Sequence, residues 1–177
     1  MALSKIDTNA IADDAVDNTK LDLASNYAFT GTVTGAGENN TPLFIARKNG
    51  DHTGISSTTW TKITGWTEIA DPDSKFDTST ARFTPAVAGK YLVQLNCWIG
   101  TEANQTQYLA IYKTGTAAEK SAVNTGGDAN HPFQVSAIVD LNTTDYVEPY
   151  VYFNGTHTKT VYSEGVTNQF SAFLIST

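Results

Sequence analysis

The chain has 177 residues, a length typical of one domain with a short appendage. Hydrophobic residues make up 40% and charged residues 16%, a balance that indicates a globular protein rather than a disordered one. The net charge is -7 and the 11 basic residues do not cluster, which argues against nucleic-acid binding, because that function needs a basic patch to replace the counterions of the phosphates.

No segment predicts export or insertion into a membrane. Met1 leads into polar sequence, whereas a secretory signal continues as an apolar run. No stretch approaches the roughly 20 apolar residues of a membrane span. Cys97 is the only cysteine, so we expect no disulfide within the chain and a thiol buried as a small apolar group. The chain is expected to begin in the cytosol.

Residues 5–23 carry an apolar residue at every fifth position, with polar triplets in between. These residues are Ile6, Ile11, Val16 and Leu21. A helix turns about 100° per residue and would scatter them around its surface, and a flat strand would place alternate ones on opposite faces. The spacing is not a coiled-coil heptad. A chain that turns once per pentad would align them along one edge, and three such chains would bury those edges against one another.

Two simpler interpretations remain for this segment, a short acidic tail or one irregular helix that starts near Asn9. The pentads resemble the segments that join the anchors of bacteriophage tail fibres to their distal domains. Residues 27–37 resemble connectors in the same kind of protein, although their Gly- and Thr-rich composition also fits a plain linker. We expect residues 1–37 to form an attachment segment or stalk, and residues 38–177 to form the globular domain.

The globular part begins with short strand patterns separated by turn residues. The sequence predicts a strand at 42–46, a turn at 49–51, a second strand region framed by Trp60, Ile63 and Trp66, and a turn at 71–75.

The clearest strand pattern ends the stretch from Phe76 to Leu95 and continues to Ile99. Tyr91, Val93, Leu95, Cys97 and Ile99 alternate with more polar residues, and this period of two places one set in a core. Before the strand, Pro85 cannot donate to a ladder and Gly89 allows a backbone conformation that other residues resist. We predict a corner between two sheets, followed by a long buried strand.

The remaining segments complete an all-β pattern, and no helix is expected after Gly37. We predict a strand at 107–112 with two apolar faces, an exposed loop at 114–131, an alternating strand at 133–141, a strand at 146–153 with Val147, Val151 and Phe153 opposite Tyr146, Tyr150 and Tyr152, a turn at Asn154–Gly155, and a last strand at 170–175 that is apolar on both faces. Pro149 favours an edge position or a bulge for its strand.

The order of these segments resembles the globular domains of complement C1q and tumour necrosis factor. The resemblance rests on Thr84–Pro85 and on Gly89-Lys-Tyr, and it continues in residues 135–141, 145–147 and 170–175. It covers roughly residues 40–177, and no single motif in it is diagnostic. It implies a C1q/TNF-like jelly-roll β-sandwich that assembles as a homotrimer.

Strands that are apolar on both faces argue separately for an oligomer. One face fills the sandwich, and the other would be a large exposed apolar patch, which soluble monomers avoid. The side chains expected in the trimer interface are Trp98, Tyr108, Tyr112 and Phe173.

No pattern predicts catalysis or a cofactor. His52, His131 and His157 lie in predicted loops at unrelated spacings, and the zinc-site motifs, nucleophile elbow, P-loop and dinucleotide fingerprint are missing. We therefore expect a protein that is not an enzyme.

Three carboxylates are the best metal candidates in the sequence. Asp71, Asp73 and Asp77 are close enough along the chain to bind a structural calcium ion. They lack the EF-hand pattern, and Asp-Pro-Asp is common in plain turns. We expect no metal, with calcium as the less favoured alternative.

The favoured hypothesis is a phage virion structural protein: a homotrimeric fibre or appendage attached to tail or capsid proteins through residues 1–37. Its C-terminal tip would be exposed for adhesion to a host-surface glycan or protein, with contacts in loops carried on a rigid scaffold. The candidate contact residues are Asn124, Asp128, Asn130, His131, Asn154 and His157. The alternatives are a capsid decoration protein without a specific ligand and a bacterial C1q-like carbohydrate-binding module. Nucleic-acid binding and membrane insertion are not expected.

Overall fold

A computed structural model describes residues 42–124, 126–127, 130–163 and 167–177, and the predictions for residues 1–37 and Asp128 lie outside these ranges. The described residues form strands and contain no helix, so none of them belongs to a helix that could cross a membrane. In chain order the strands are β1 (Leu43–Lys48), β2 (His52–Ile55), β3 (Thr61–Lys62), β4 (Trp66–Ala70), β5 (Phe76–Asp77), β6 (Arg82–Phe83), β7 (Gly89–Gly100), β8 (Thr106–Lys113), β9 (Thr116–Asn124), β10 (Asn130–Leu141), β11 (Val147–Phe153), β12 (Lys159–Tyr162) and β13 (Gln169–Ser176). The all-β prediction is confirmed for this part of the chain.

One sheet, sheet 1, is organised around the long strand β7. β10 pairs antiparallel with β7 along its whole length, from Leu141 opposite Gly89 to Asn130 opposite Gly100. Along the other edge of β7, β13 pairs first and β12 continues the edge. β1 and β4 extend the sheet beyond β13, and β2 extends it beyond β12. The strand with the clearest sequence pattern is therefore central.

The second sheet, sheet 2, covers the inner face of sheet 1. Its strand order is β5-β6-β11-β8-β9, and β3 also pairs with β11. β8 and β11 run antiparallel from Val147 opposite Lys113 to Phe153 opposite Gln107. All strand pairs in both sheets are antiparallel among the described residues, as expected for a sandwich with one wet and one dry face per sheet.

Aromatic rings join the two sheets in the interior. Phe44 of sheet 1 lies 4.6 Å, between ring centroids, from both Phe76 and Phe83 of sheet 2, and 4.9 Å from Phe170. The predicted inward set of β7 is buried with them; its members are Tyr91, Val93, Leu95, Cys97 and Ile99. The alternation predicted for β7 is confirmed, because its period puts every second side chain into this core.

Gly89 is needed for space rather than for an unusual backbone angle. A Cβ at this position would collide with the carbonyl oxygen of Ser176 and would lie 2.7 Å from Cδ1 of Leu174. Gly89 is not among the glycines with positive φ. The prediction that this residue adopts a conformation others resist was therefore wrong, and the close approach of β13 explains the glycine instead.

The predicted loop at 114–131 was largely wrong, since β9 and the start of β10 occupy most of it. β9 pairs with β8 from Thr116 opposite Lys113 to Asn124 opposite Thr106. It is an edge strand of small, mostly exposed residues, so its sequence carries little apolar alternation. Its pairing with a buried neighbour, rather than its own composition, fixes it as a strand.

Pro149 lies in β11, which is not an edge strand, so the predicted edge position was wrong. β11 pairs with β8 on one side and with β6 and β3 on the other. On that second side, Val147 pairs with Phe83 of β6, whereas Tyr150 pairs with Lys62 of β3. Pro149 lies where one neighbour gives way to the other, and its carbonyl accepts from the N–H of Ile63 at 2.8 Å. The missing N–H therefore falls at a gap in the ladder.

The predicted second strand region consists of two strands in different sheets, and β2 before it was missed. β3 pairs with β11 of sheet 2, whereas β4 pairs with β1 of sheet 1. Gly65, with φ of +75°, makes the break between them. The indole N–H of Trp66 donates to the carbonyl of Ile63 at 2.8 Å across this break.

Different segments of the chain lie at the two ends of the sandwich. The N–H of Leu174 donates to the carbonyl of Pro42 at 3.0 Å, so Pro42, the first described residue, lies at the end that also holds Gly89 and Ser176. The opposite end, called the distal end below, holds Gly100 and the segments that join β7 to β8, β9 to β10 and β11 to β12. This polarity decides which loops are far from Pro42.

Candidate functional site at the distal end

The predicted contact residues gather at the distal end around the segment that joins β7 to β8. In the strand register Asn130 lies opposite Gly100, and Asn124 lies opposite Thr106. The N–H of Asn154 donates to the carbonyl of Thr106 at 2.9 Å, which brings the next loop alongside. Three segments that are distant in sequence therefore meet at one end of the sandwich.

The two predicted histidines occupy different surroundings. The ring of His131 is half-buried and stacks at 6.5 Å, between centroids, on Phe133 of its own strand face. His157 is exposed, and its Nδ1 lies 3.4 Å from Oε1 of Glu102. The structure thus presents His157 at the surface of the distal end but turns His131 along the face of β10 that carries Phe133. Asp128 lies outside the described residues.

Glu102 ties two distal loops together. Its carboxylate accepts hydrogen bonds from the hydroxyl of Thr156 at 3.0 Å and from the N–H groups of Thr156 and His157 at 3.2 and 3.4 Å. The Lys159 ammonium lies 3.7 Å from the same carboxylate. Desolvation by itself raises the pKa of Glu102, but the hydrogen bonds from Thr156 and His157 outweigh it and lower the pKa to about 2.

Gly155 leaves room for the contacts of Glu102 with Thr156 and His157, which we call the Glu102 clamp. A Cβ on Gly155 would collide with the Glu102 carboxylate and would lie 3.0 Å from its Cδ. A larger residue there would push the carboxylate away from Thr156. Glu102 was not identified from the sequence, because its partners lie more than fifty positions along the chain and no local pattern connects them.

A polar cleft of about 400 Å³ opens beside the clamp. Its lining consists of Gly100, Thr101, Asn130, Thr158, Lys159, Thr160 and Tyr162. Gly100 forms part of the wall, since a Cβ there would lie 3.4 Å from Cε2 of Tyr162 and 3.6 Å from Oδ1 of Asn130. Hydroxyl, amide and ammonium groups that converge in this way suit a ligand that both donates and accepts hydrogen bonds.

The residues predicted for the trimer interface fall on two different surfaces. Trp98 and Phe173 lie on the outer face of sheet 1, in β7 and β13. Tyr108 and Tyr112 lie on the outer face of sheet 2, where both rings contact Trp60. The structure therefore does not bring the four residues together on one subunit.

An apolar row crosses sheet 1 at the level of Phe173. In the strand register Leu43 lies opposite Phe173, Phe173 opposite Leu92, and Leu92 opposite Ile138. The row spans β1, β13, β7 and β10, and we call these four residues the apolar row. Ile138 is 66% exposed. Three of the four residues were not identified from the sequence, because only the register places them side by side.

Two of the three aspartates considered for calcium, Asp71 and Asp77, hold local turns. Oδ2 of Asp71 accepts from the N–H of Phe76 at 2.6 Å. Asp77 accepts from the hydroxyls of Ser79 and Thr80 at 2.6 and 2.7 Å, and these bonds lower its pKa to about 2. The described residues contain no group of three His, Cys, Asp or Glu side chains placed to hold a metal ion. The expectation that the protein binds no metal stays a prediction.

Comparison with known proteins gives a result at the level of structure. No family model matches the chain, and no curated protein matches its sequence. Eiger, a TNF protein from S. frugiperda, superposes with a TM-score of 0.60 at 11% identity, over 77% of this chain and 93% of that one. The chain has the TNF- and C1q-like jelly-roll fold.

Two further structures agree with this assignment. Murine APRIL gives a TM-score of 0.59 at 9% identity, over 76% of this chain and 99% of that one. The globular domain of zebrafish complement 1qA gives a TM-score of 0.51 at 15% identity, over 77% of this chain and 98% of that one. The fold implied by the sequence resemblance is confirmed, and identities this low show the fold alone.

Proposed function

We propose that this protein is a structural protein of a phage virion, a homotrimeric appendage that attaches to the tail or capsid through residues 1–37 and adheres to the host surface through its distal end. The observation that carries the proposal is the polarity of the domain. Pro42, the first described residue, lies at one end, whereas Asn130, Asn154 and His157 lie at the opposite end. A domain held from one end exposes the other, which is the arrangement that an adhesive tip requires.

The apolar row supports self-association. Leu43, Phe173 and Leu92 are half-buried and Ile138 is exposed, so a single subunit leaves a continuous apolar strip in water. Soluble monomers avoid such strips, and a neighbouring subunit would cover it. We place the subunit contact of the trimer on this face of sheet 1, with Trp98 on the same face.

The distal end supports adhesion rather than catalysis. Glu102 holds the loop that carries the exposed Asn154 and His157, so a ligand would not have to order this loop when it binds. Pre-organised loops lose less conformational entropy on binding. The charge there is mixed and the lining of the cleft is rich in hydroxyls, which suits a glycan or a polar protein surface.

Immunoelectron microscopy tests the virion assignment. Antibodies raised against the full chain should label intact virions of the phage that encodes it, either at the tail or on the capsid. Virions without label, from a lysate in which the protein is present, would contradict a structural role.

Binding to host cells tests adhesion by the distal end. The fluorescently labelled full chain should bind cells of the host bacterium, and the triple variant N130A/N154A/H157A should bind several-fold less. Thr143→Ala, at the exposed turn between β10 and β11 at the end of the sandwich opposite the distal end, is the matched control and should bind as the unmodified chain does. Labelled virions without cell binding would favour the capsid decoration protein, and equal binding by the triple variant would contradict contacts in the distal loops.

A further inference from the structure

Five aromatic side chains cover the outer face of sheet 2. Trp60 lies 5.2 Å from Tyr152, 5.8 Å from Tyr112 and 6.0 Å from Tyr108, all between ring centroids. Tyr112 stacks on Tyr150 at 4.1 Å. Each of the five is half-buried, so part of every ring reaches solvent. We call these five residues the aromatic face.

The strand register explains why the rings form one surface. Tyr152 lies opposite Tyr108, and Tyr150 lies opposite Ala110. Ala110 shares the face of β8 that carries Tyr108 and Tyr112, and it is fully buried. A small residue in the middle of the surface lets the larger rings close over it, which gives a continuous platform rather than separate side chains.

The aromatic face differs chemically from the interior. The rings between the sheets are phenylalanines, apart from Tyr91 and Trp66. The hydroxyl of Tyr91 donates to the carbonyl of Val87 at 2.7 Å, and the indole N–H of Trp66 donates to the carbonyl of Ile63 at 2.8 Å. On the aromatic face every ring is tyrosine or tryptophan. Within the described part of the chain, no protein group forms a hydrogen bond with the hydroxyls of the four tyrosines of this face or with the indole N–H of Trp60. The face therefore offers ring surfaces and free hydrogen-bonding groups side by side.

These free groups decide what kind of occupant fits. A purely apolar partner would bury five polar groups without hydrogen-bond partners, at a cost for each. Sugar rings present C–H surfaces that lie on aromatic rings and hydroxyls that donate and accept hydrogen bonds. The Lys120 ammonium, 5.7 Å from the Trp60 ring centroid, adds a donor at the margin.

The nearby charges leave the platform open. Lys62 and Arg82 both pair with the buried carboxylate of Glu148, at 2.9 and 2.7 Å. Arg82 also lies over the ring of Tyr146, 4.0 Å from its centroid. These ion pairs lie at the side of the aromatic face and are already satisfied, so they fix its border without covering it.

We propose that the aromatic face is an oligosaccharide-binding surface, separate from the distal cleft. The proposal adds a second contact surface to the proposed adhesive function, on which it rests for the bacterial origin of the ligand, and it moves Tyr108 and Tyr112 from the subunit contact to a ligand contact. The apolar row on sheet 1 then remains for self-association.

The test begins with the purified full chain on a printed array of bacterial O-antigen and capsular oligosaccharides, followed by calorimetric titration of the strongest-binding oligosaccharide. Trp60→Ala and Tyr152→Ala should each weaken binding by about tenfold or more, the effect of losing one ring contact with its hydrogen bond. Ile69→Ala is the control, because Ile69 is exposed on β4 of sheet 1, outside the aromatic face, the distal cleft and the apolar row. It should bind as the unmodified chain does. Tyr162→Ala, in the lining of the distal cleft, reports on binding at that site instead.

A second pair of variants separates binding from folding. Tyr108→Phe and Tyr152→Phe keep both rings and remove only free hydroxyls, so they should fold normally and still bind several-fold more weakly. If these variants and Trp60→Ala all bind the oligosaccharide as tightly as the unmodified chain does, the proposal is overturned. A change in the molar mass of Trp60→Ala would also overturn it, by showing that the face is a subunit contact.

The remaining outcomes separate this inference from the proposed function. If Tyr162→Ala loses binding and Trp60→Ala keeps it, the glycan binds in the distal cleft. That result overturns the inference but agrees with adhesion through the distal end. No oligosaccharide binding at all would overturn the inference, while virion labelling would still test the proposed function independently.

Discussion

The carboxylate of Glu102 accepts a hydrogen bond from the hydroxyl of Thr156 at 3.0 Å, although the two residues belong to different loops of the distal end. The N–H groups of Thr156 and His157 donate to the same carboxylate. This contact holds the loop between β11 and β12 against the segment after β7, and so it shapes the surface proposed for adhesion.

The Glu102 clamp should depend on pH. The pKa of Glu102 falls from 4.5 to about 2 on folding, so its contribution to stability is present above about pH 4.5 and is lost as the pH falls towards about 2. The protection of the amides of Thr156 and His157 against hydrogen exchange, relative to their intrinsic exchange rates, should fall over this range. In Glu102→Gln the exchange should lose this pH dependence after correction for the intrinsic rate.

Asp77 provides the control for this experiment. Its pKa is also lowered to about 2, by hydrogen bonds from Ser79 and Thr80, but it lies in a different turn. Its titration is the same in the unmodified chain and in Glu102→Gln, so it cancels in the difference between them. A distal loop whose protection is equally pH-dependent in both proteins would show that Glu102 does not hold it.

Gly89→Ala should destabilise the domain by about 1–3 kcal/mol, the usual cost of forcing extra volume into a packed site. The reason is the approach of the Ser176 carbonyl and the Leu174 side chain to the place where the Cβ would lie. Denaturant titration measures the loss. Gly126→Ala is the control, because nothing lies within 4 Å of its Cβ position. Equal stability of the two variants would contradict the close approach of β13.

Cys97 should not react with a thiol reagent in the folded protein. It is 1% exposed, and desolvation raises the pKa of its thiol far above the ordinary range even though the charge of Lys48 acts in the opposite direction. A colorimetric thiol reagent at neutral pH should therefore report reaction only at the rate of unfolding. Rapid stoichiometric reaction under native conditions would show that β7 is not the buried central strand.

The fold could be predicted because the sequences of several strands alternate between inward and outward residues. β7, β10 and β11 alternate clearly, and their predicted inward residues, such as Val93, Val135 and Val151, are buried. β9 was missed because this edge strand of mostly exposed residues has no clear apolar period. Pro149 was misplaced because a proline fits any position where the ladder has a gap, and such a gap also exists inside this sheet.

The candidate surfaces were harder to predict, since they depend on contacts between distant segments. The turn at Asn154–Gly155 was predicted, yet Glu102 and Thr156 are linked only in three dimensions. The alternation of Tyr150 and Tyr152 with valines was visible, but Trp60 joins their surface from another part of the chain. Likewise, only the strand register shows that Ile138 belongs to the apolar row.

The molar mass of the full chain, measured by light scattering on size-exclusion fractions, tests directly whether the protein is a homotrimer. We expect a mass of three 19.0-kDa chains, and dissociation in Ile138→Asp, which places a charge in the apolar row. Ile69→Asp is the matched control, because Ile69 is also exposed, at 53% against 66% for Ile138, but lies outside the row. It should remain trimeric. A monomeric mass for the unmodified chain, or trimers that survive Ile138→Asp, would contradict a trimer built on this face of sheet 1.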